Sequence, residues 1–358
     1  MAARHPGALA CVLLLVPPLA GASDADLLAF GEKGYVTSYL DNDLFGGTDR
    51  NYTNGVRFSW ISENRELDEV GPVQRRLRRL TGDPESAKLF RRVTGFDDPS
   101  AINYNTGLSL TQLMFTPEDL TDPEQPVGQR RYAGWLGLGF SLHAKDDEIL
   151  NSVEFILGIT GEPSLAQESQ NLIHDLRNFD KFAGWQAQIP TEVTADLSFV
   201  QKRRADFLPE RRLGFRVDGL TEWGVRLGSF RTSANVGGFF RIGLNLPPDF
   251  SDPRLSANAY SHRYFDDGGG YDGPWSVYGL FGATGRAVAF DATLDGPLFE
   301  DFDTGNNREP WVGEVFVGFG VRYRIAELSY VHTWRTREYS EQQDDYADFG
   351  SLALRIRI

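Results

Sequence analysis

Apolar and polar residues alternate along many short stretches of this chain, the pattern of β-strands whose two faces meet different surroundings. The stretch 311–323 is the clearest case. Apolar side chains at every second position alternate there with Glu314, Gly318, Gly320 and Arg322. One face is thus continuously apolar, and the other is charged or small.

Charged residues lie on the polar face of two further alternating stretches. Arg57 lies within 52–62 and Glu154 within 149–161, each opposite an apolar face. A soluble β-sandwich also alternates, but it would not place charges opposite apolar faces so regularly. A transmembrane barrel would, because lipid covers the outer face and the lumen is polar.

We count about twelve such stretches, and an even number is expected of a bacterial single-chain barrel. They are 34–41, 52–62, 104–115, 132–144, 149–161, 191–203, 212–227, 230–245, 274–294, 311–323, 325–337 and 348–358. The last one runs to the final residue, like the terminal strand of outer-membrane barrels. The sequence therefore predicts an all-β, twelve-stranded antiparallel transmembrane barrel with both termini in the periplasm. Glycines on the lumen faces leave two alternatives, an open lumen or one packed with large side chains.

The N-terminus predicts export. An apolar run, 8–19, follows Arg4 and precedes small residues, so we expect a signal peptide at 1–22 and a single barrel domain at 23–358. The only cysteine, Cys11, lies in that signal, which excludes thiol chemistry in the mature chain. The net charge of −14 argues against a nucleic-acid partner. We expect a monomer in the bacterial outer membrane.

The connection 162–190 contains the one clear helix pattern, which predicts a short helix in an extracellular loop. Ser164 and Gln167 have the spacing of a capping box, with Ser164 as the N-cap, and the pattern continues to about residue 179. Leu165, Leu172 and Leu176 are the expected packing side.

Gln170 and His174 are four positions apart on this helix and therefore share a face. A neutral imidazole with an oriented partner is a common general base near pH 7. The alternative is an ordinary surface histidine. Ser141 and His143 also share a face, which we interpret as a pair in the barrel lumen, since the chain has no GxSxG motif.

Oxygen-bearing side chains are concentrated in the connection after the first strand, at 41–54. Asn42, Asp43, Asp49 and Thr53 supply amide, carboxylate and hydroxyl oxygens, which hard cations prefer. The same residue types form ordinary hairpin turns. Two long connections, 63–103 and 246–273, are expected to face the periplasm. The first is basic and helical in pattern near 73–80, which predicts a solvated helix or a site for phosphate or a periplasmic partner.

Several blocks of this sequence resemble the lipid A 3'-O-deacylase family. They are 42–45, 49–55, 112–117, 161–174, 184–185, 290–296 and 335–338. The resemblance covers nearly the whole mature chain. It implies a twelve-stranded outer-membrane barrel that acts as a calcium-dependent ester hydrolase and removes the 3'-linked acyloxyacyl group from lipid A of lipopolysaccharide in the outer leaflet.

The resemblance also implies roles for individual residues. Asn42 and Asp43 would lie at the calcium ion, and His174 would activate the attacking water. The implied catalytic group is His174, Gln170, Thr53 and Asp180. A lysine that the family carries near the third strand has no counterpart here, where Gln112 lies nearby. The alternatives are an outer-membrane phospholipase and a non-catalytic, porin-like or structural barrel.

Overall fold

The computed structural model describes most of the chain after the first strand begins. The described residues are 34–43, 51–65, 84–98, 101–120, 122–123, 128–177, 182–207, 214–246, 248–256 and 274–358. Four features named from the sequence lie outside these ranges: the signal peptide at 1–22, Asp49, the basic stretch at 73–80, and Asp180.

Twelve strands form one closed antiparallel barrel, in which each strand pairs with its sequence neighbours and β1 also pairs with β12. The strands are β1 (Gly34–Asn42), β2 (Asn51–Ser62), β3 (Asn103–Thr116), β4 (Ala133–Lys145), β5 (Ile149–Thr160), β6 (Val193–Asp206), β7 (Phe215–Gly228), β8 (Arg231–Leu244), β9 (Trp275–Asp291), β10 (Trp311–Tyr323), β11 (Ala326–Thr336) and β12 (Tyr346–Arg357). The predicted barrel is confirmed.

Within the described ranges, three α-helices lie in the connections: α1 (Pro84–Thr94), α2 (Ala166–Arg177) and α3 (Ala292–Asp295). The end of β9 at Asp291 is earlier than expected because this residue caps α3, its carboxylate accepting a hydrogen bond of 3.0 Å from the backbone of Thr293. In the part of the chain that the structure covers, no helix is long and apolar enough to cross a membrane.

The two faces of the barrel wall differ as the alternation predicts. On β10, the outward-facing Trp311 and Val315 are 74% and 59% exposed. In the lumen, Arg57 and Glu154 are buried and joined by a hydrogen bond of 2.7 Å between Nη2 and Oε1. The outward face of β10 is therefore apolar, and the charged pair Arg57 and Glu154 lies inside.

Large side chains fill much of the lumen. A Cβ placed on Gly137 would lie 2.3 Å from the Trp135 ring, and one on Gly320 would lie 2.3 Å from the Tyr278 ring. These glycines are needed because aromatic rings lie directly over them. Of the two alternatives left by the sequence, the structure thus shows closely packed side chains, beside a cavity of about 160 Å³ that both charged and apolar side chains line.

Part of the β8–β9 connection enters the lumen from the end that carries the termini. Asp249 accepts a hydrogen bond of 2.6 Å from Arg241, and the backbone carbonyl of Asp252 accepts one of 3.0 Å from Arg355. Asp252 also pairs with Arg254 at 2.7 Å. The sequence predicts that this connection faces the periplasm. Its described part, 248–256, lies inside because its carboxylates pair with cations of the lumen.

Candidate active site on the outer wall of the barrel

Helix α2 packs on the outside of the barrel wall. Trp135 lines the lumen cavity, so the adjacent Gly134 faces outward, where a Cβ would lie 2.6 Å from the Cβ of Ala166. Gln112 also faces outward, between two lumen-facing neighbours, and donates a hydrogen bond of 2.7 Å to the carbonyl of Ser164. The candidate residues of α2 therefore lie between helix and wall, on the side that faces the bilayer.

The start of α2 differs from the prediction. Ser164 does not cap the helix, because it belongs to a 3₁₀ turn (Glu162–Ser164) and its hydroxyl donates to the carbonyl of Gly161 at 2.6 Å. Leu165 then adopts a left-handed conformation with φ of 58°, and the helix begins at Ala166. The capping-box prediction is wrong because the left-handed Leu165 separates Ser164 from the first residue of the helix.

The packing side of α2 is also different from the one predicted. Leu165 and Leu172 are 51% and 60% exposed, whereas Ala166, Gln170 and His174 form the buried stripe. Their spacing of four residues places them on one face. The wall admits this stripe because Gly134 leaves room for the small Ala166, and the leucines are left on the outer side of the helix.

Gln170 and His174 are both held by aromatic neighbours. The indole nitrogen of Trp185 donates a hydrogen bond of 2.6 Å to Oε1 of Gln170, and the Trp185 ring lies 5.1 Å from that of Tyr132. The imidazole of His174 meets Phe182 edge to face at 4.7 Å. The shared face predicted for these two residues is present, and both side chains are buried.

Oxygen donors lie on the same outer face, at the end of β1. Asn42 lies directly opposite Asn54 on β2, Asn54 is opposite Met114 on β3, and Met114 is opposite Gly134 on β4. One transverse row of the wall thus leads from Asn42 to the strand on which α2 packs. Asp43, which follows Asn42, is buried.

The chemistry of this donor set fits a hard cation such as calcium. Oδ1 of Asn54 is buried and accepts no hydrogen bond, and it lies across from the Asn42 amide and close in sequence to the connection that holds Asp43. Among the residues that the structure covers, no three His, Cys, Asp or Glu side chains cluster as metal ligands. The candidate ligands are therefore one carboxylate and two amides, with backbone carbonyls, water or substrate completing the coordination.

Two of the predicted site residues are placed only in part or not at all. Thr53 lies at an irregularity of β2, between Tyr52 and Asn54, and only its backbone is described. Asp180 lies outside the described residues.

Sequence reasoning gave no site role to Asn54 or Trp185. The signal for Asn54 was the hairpin register that places it opposite Asn42. The signal for Trp185 was the Gly-Trp pair: Gly184 is required because a Cβ there would lie 2.3 Å from the Tyr132 ring.

The second pair considered from sequence lies elsewhere. Oγ of Ser141 and Nε2 of His143 are 2.8 Å apart, and both residues are buried. They share the lumen face of β4 with Trp135, as predicted. The barrel wall therefore separates this pair from the lipid.

The closed barrel, its apolar outer belt and the helix packed on its outer wall define a bacterial outer-membrane β-barrel protein whose candidate site lies on the outward face of the wall. Residues 8–358 match the model of the family described as outer membrane protein LpxR. The chain belongs to the LpxR family, which confirms the resemblance stated from the sequence blocks.

A solved structure of this family has the same fold. LpxR from Salmonella typhimurium superposes with a TM-score of 0.68 at 16% identity, over 90% of this chain and 100% of that one. The β domain of the Bordetella autotransporter BrkA gives a TM-score of 0.40 at 8% identity, over 91% and 98%. No curated protein sequence matches the chain.

Proposed function

We propose that this protein is a calcium-dependent lipid A 3'-O-deacylase, which hydrolyses the ester that holds the 3'-linked acyloxyacyl group. The carrying observation is the position of His174, buried between α2 and the outward face of the wall. A general base in that position can contact a lipid substrate that lies in the bilayer. The resemblance of the sequence blocks to the deacylase family supplies the substrate class and the reaction.

The surroundings of the helix support a lipid substrate. Leu172 and Ile173 are exposed on the outer side of α2, and the outward face of β4 below it carries the exposed Leu138. Exposed apolar side chains in a continuous belt are stable only against lipid. An acyl chain can therefore lie along the wall while its ester reaches the polar groups beside α2.

His174 acts as the general base in this scheme. Its imidazole accepts a proton from water as the water oxygen forms a bond to the ester carbonyl carbon. The bond between that carbon and the 3'-oxygen of the sugar then breaks. The imidazolium returns the proton to this oxygen, so the products are a carboxylic acid and a free 3'-hydroxyl.

Gln170 positions the water in the proposed reaction. Its carbonyl oxygen already accepts the hydrogen bond from Trp185, so its amide nitrogen is the part that donates to the water. Thr53 and Asp180 complete the catalytic group that the resemblance implies.

Asn42, Asp43 and Asn54 are the proposed calcium ligands. When bound, calcium supplies positive charge that stabilises the oxygen of the ester carbonyl in the transition state. These three residues would hold the ion near the end of β1, where Asn42 and Asn54 belong to the row of the wall that leads to α2.

The filling of the lumen argues against the porin-like alternative. The segment 248–256 and the ion pairs around it occupy the interior that a channel would need open. The phospholipase alternative is not supported by the serine–histidine pair considered from the sequence, since Ser141 and His143 lie on the lumen side of the wall.

The test is hydrolysis of lipid A by the folded protein in detergent, with calcium and then with a chelator, read by mass spectrometry. We expect loss of the 3'-acyloxyacyl mass only with calcium. His174→Ala should reduce the rate by roughly 10²–10⁴-fold, the usual contribution of a general base. His332→Ala, on β11, is the matched control and should retain activity. Equal activity in His174→Ala would refute the mechanism, and no mass change in the folded wild type would refute the function.

A further inference from the structure

Helix α1 also packs on the outside of the barrel, but at the opposite end from α2. The side-chain amides of Asn151 and Gln201 donate to the carbonyl of Thr94 at 2.8 and 3.1 Å. Both donors face outward, because Ile156 on β5 and Lys202 on β6 line the lumen cavity. The chain at 84–98 therefore occupies wall that lipid would otherwise cover.

Apolar contacts fix this helix to the wall. Phe90 and Phe96 are buried against Tyr104 and Ile149, at the ends of β3 and β5. The two hydrogen bonds to the Thr94 carbonyl come from one level of the wall, since Asn151 is opposite Gln201 in the sheet. The apolar contacts of Phe90 and Phe96 and the hydrogen bonds to Thr94 together fix the position of 84–98 relative to the barrel.

The level of α1 is that of the membrane interface. It lies at the end of the barrel that carries both termini, where the outward-facing Trp275 and Tyr323 are paired and exposed. Exposed aromatic residues of this kind mark the interface in membrane barrels. The headgroups of the surrounding leaflet are therefore at the height of α1.

The face of α1 turned away from the wall is basic. Lys88, Arg91 and Arg92 have the spacing i, i+3, i+4 and are all exposed, while Phe90 on the other side is buried. Arg91 and Arg92 lie in the last turn, where cations also stabilise a helix through its dipole. Lys88 lies one turn earlier on the same exposed face.

A fourth cation comes from the wall. Arg203 is exposed on the outward face of β6, and its guanidinium lies 3.0 Å from where a Cβ on Gly95 would be. It thus meets the chain directly after α1. The exposed Asp97 and Asp98 follow, and they limit the basic surface on that side.

We propose that Lys88, Arg91, Arg92 and Arg203 form a binding site for the phosphate of an anionic glycerophospholipid in the leaflet around this end of the barrel. The site is separate from the proposed hydrolase site and does not depend on it. A phospholipid headgroup is the occupant because the cations lie at headgroup level, on a helix that is fixed within the lipid shell. Lys and Arg near an anionic membrane surface each attract it, and the attraction falls with salt.

The test uses the folded full-length protein in detergent with added phosphatidylglycerol or phosphatidylcholine, and native mass spectrometry to count the lipids retained. We expect preferential retention of phosphatidylglycerol. Arg91→Gln should weaken it roughly fivefold at low salt, and the combined change of Lys88, Arg91 and Arg92 to Gln by about a hundredfold. Arg324→Gln, an exposed cation in the β10–β11 turn at the same end, is the matched control and should change nothing.

Three outcomes would overturn the proposal. Equal retention of the two lipids by the wild type would show that the site does not recognise the net charge of a headgroup. Unchanged retention in the triple variant would place the lipid elsewhere. An equal loss in Arg324→Gln would show a diffuse charge effect. Heat-modified migration on gels checks that each variant forms the barrel.

Discussion

The indole nitrogen of Trp185 donates a hydrogen bond of 2.6 Å to Oε1 of Gln170, which joins α2 to the 3₁₀ turn Gly184–Ala187. Both side chains are buried. This bond fixes which end of the Gln170 amide is available to a water. Trp185, which lies outside α2, therefore contributes to the proposed hydrolysis by orienting Gln170.

Trp185→Phe should lower the hydrolysis rate while keeping the barrel folded. The phenyl ring retains most of the contact with Tyr132, but the Gln170 amide loses its fixed orientation. We expect roughly a tenfold lower kcat with little change in KM, equivalent to about 1.4 kcal/mol in the transition state. Steady-state kinetics on lipid A check this.

The matched control for Trp185→Phe is Trp311→Phe, an exposed tryptophan at the start of β10. It should have the wild-type kcat. If Trp185→Phe instead raised KM alone, the bond would be serving substrate binding and not the orientation of Gln170.

Asn54 offers two substitutions with opposite expected effects on calcium affinity. Asn54→Leu removes the buried oxygen that accepts no hydrogen bond, and Asn54→Asp replaces it with a carboxylate. Calcium affinity rises with ligand charge. We expect weaker binding in Asn54→Leu and tighter binding in Asn54→Asp, measured by titration calorimetry without substrate. Similar affinities in both variants would exclude Asn54 from the ligand set.

The strands could be predicted from sequence because the alternation of apolar and polar residues is contained within each strand. The alternation in 311–323, for example, depends only on lipid outside and polar groups inside, and β10 has these bounds. The packing of α2 could not be predicted in this way. Its leucines suggested an apolar packing side, but the receiving surface contains Gly134 and the donor Trp185, from other segments.

The lumen segment was missed for the same physical reason. Asp249 and Asp252 appear in the sequence as loop residues, and their partners Arg241 and Arg355 lie on different strands. Such pairs form only when the barrel closes. At the candidate site, the sequence correctly placed Gln170 and His174 on one face, and the pairing of Asn42 with Asn54 required the register of the hairpin.

Glu154→Ala should destabilise the barrel strongly. Glu154 accepts hydrogen bonds from Arg57 at 2.7 Å and Ser109 at 2.9 Å, and its loss would leave the buried Arg57 without its carboxylate. Removing one partner of a buried pair costs about 3–5 kcal/mol. Urea unfolding followed by gel migration measures this. Glu300→Ala, at an exposed loop position, is the control, and a similar small change in both variants would contradict the prediction.

The ionised carboxylate of Glu338 is expected to stabilise the loops beside β11, and acid should remove this stabilisation. Burial alone would raise the pKa of its carboxyl, but Arg335 and Arg130 outweigh that effect and hold the pKa below its usual value. Arg130 donates to Glu338 at 2.9 Å and to Thr293 at 2.7 Å, so the ion pair joins three connections. Because the folded pKa is depressed, the stabilisation is complete above the unfolded pKa of about 4.3 and is lost as pH falls from there through the folded pKa. Urea unfolding of the wild type and Glu338→Gln should therefore differ most near pH 7 and converge in acid. A difference that stays constant down to the lowest pH at which the barrel folds would show that the Glu338 charge does not supply this stability.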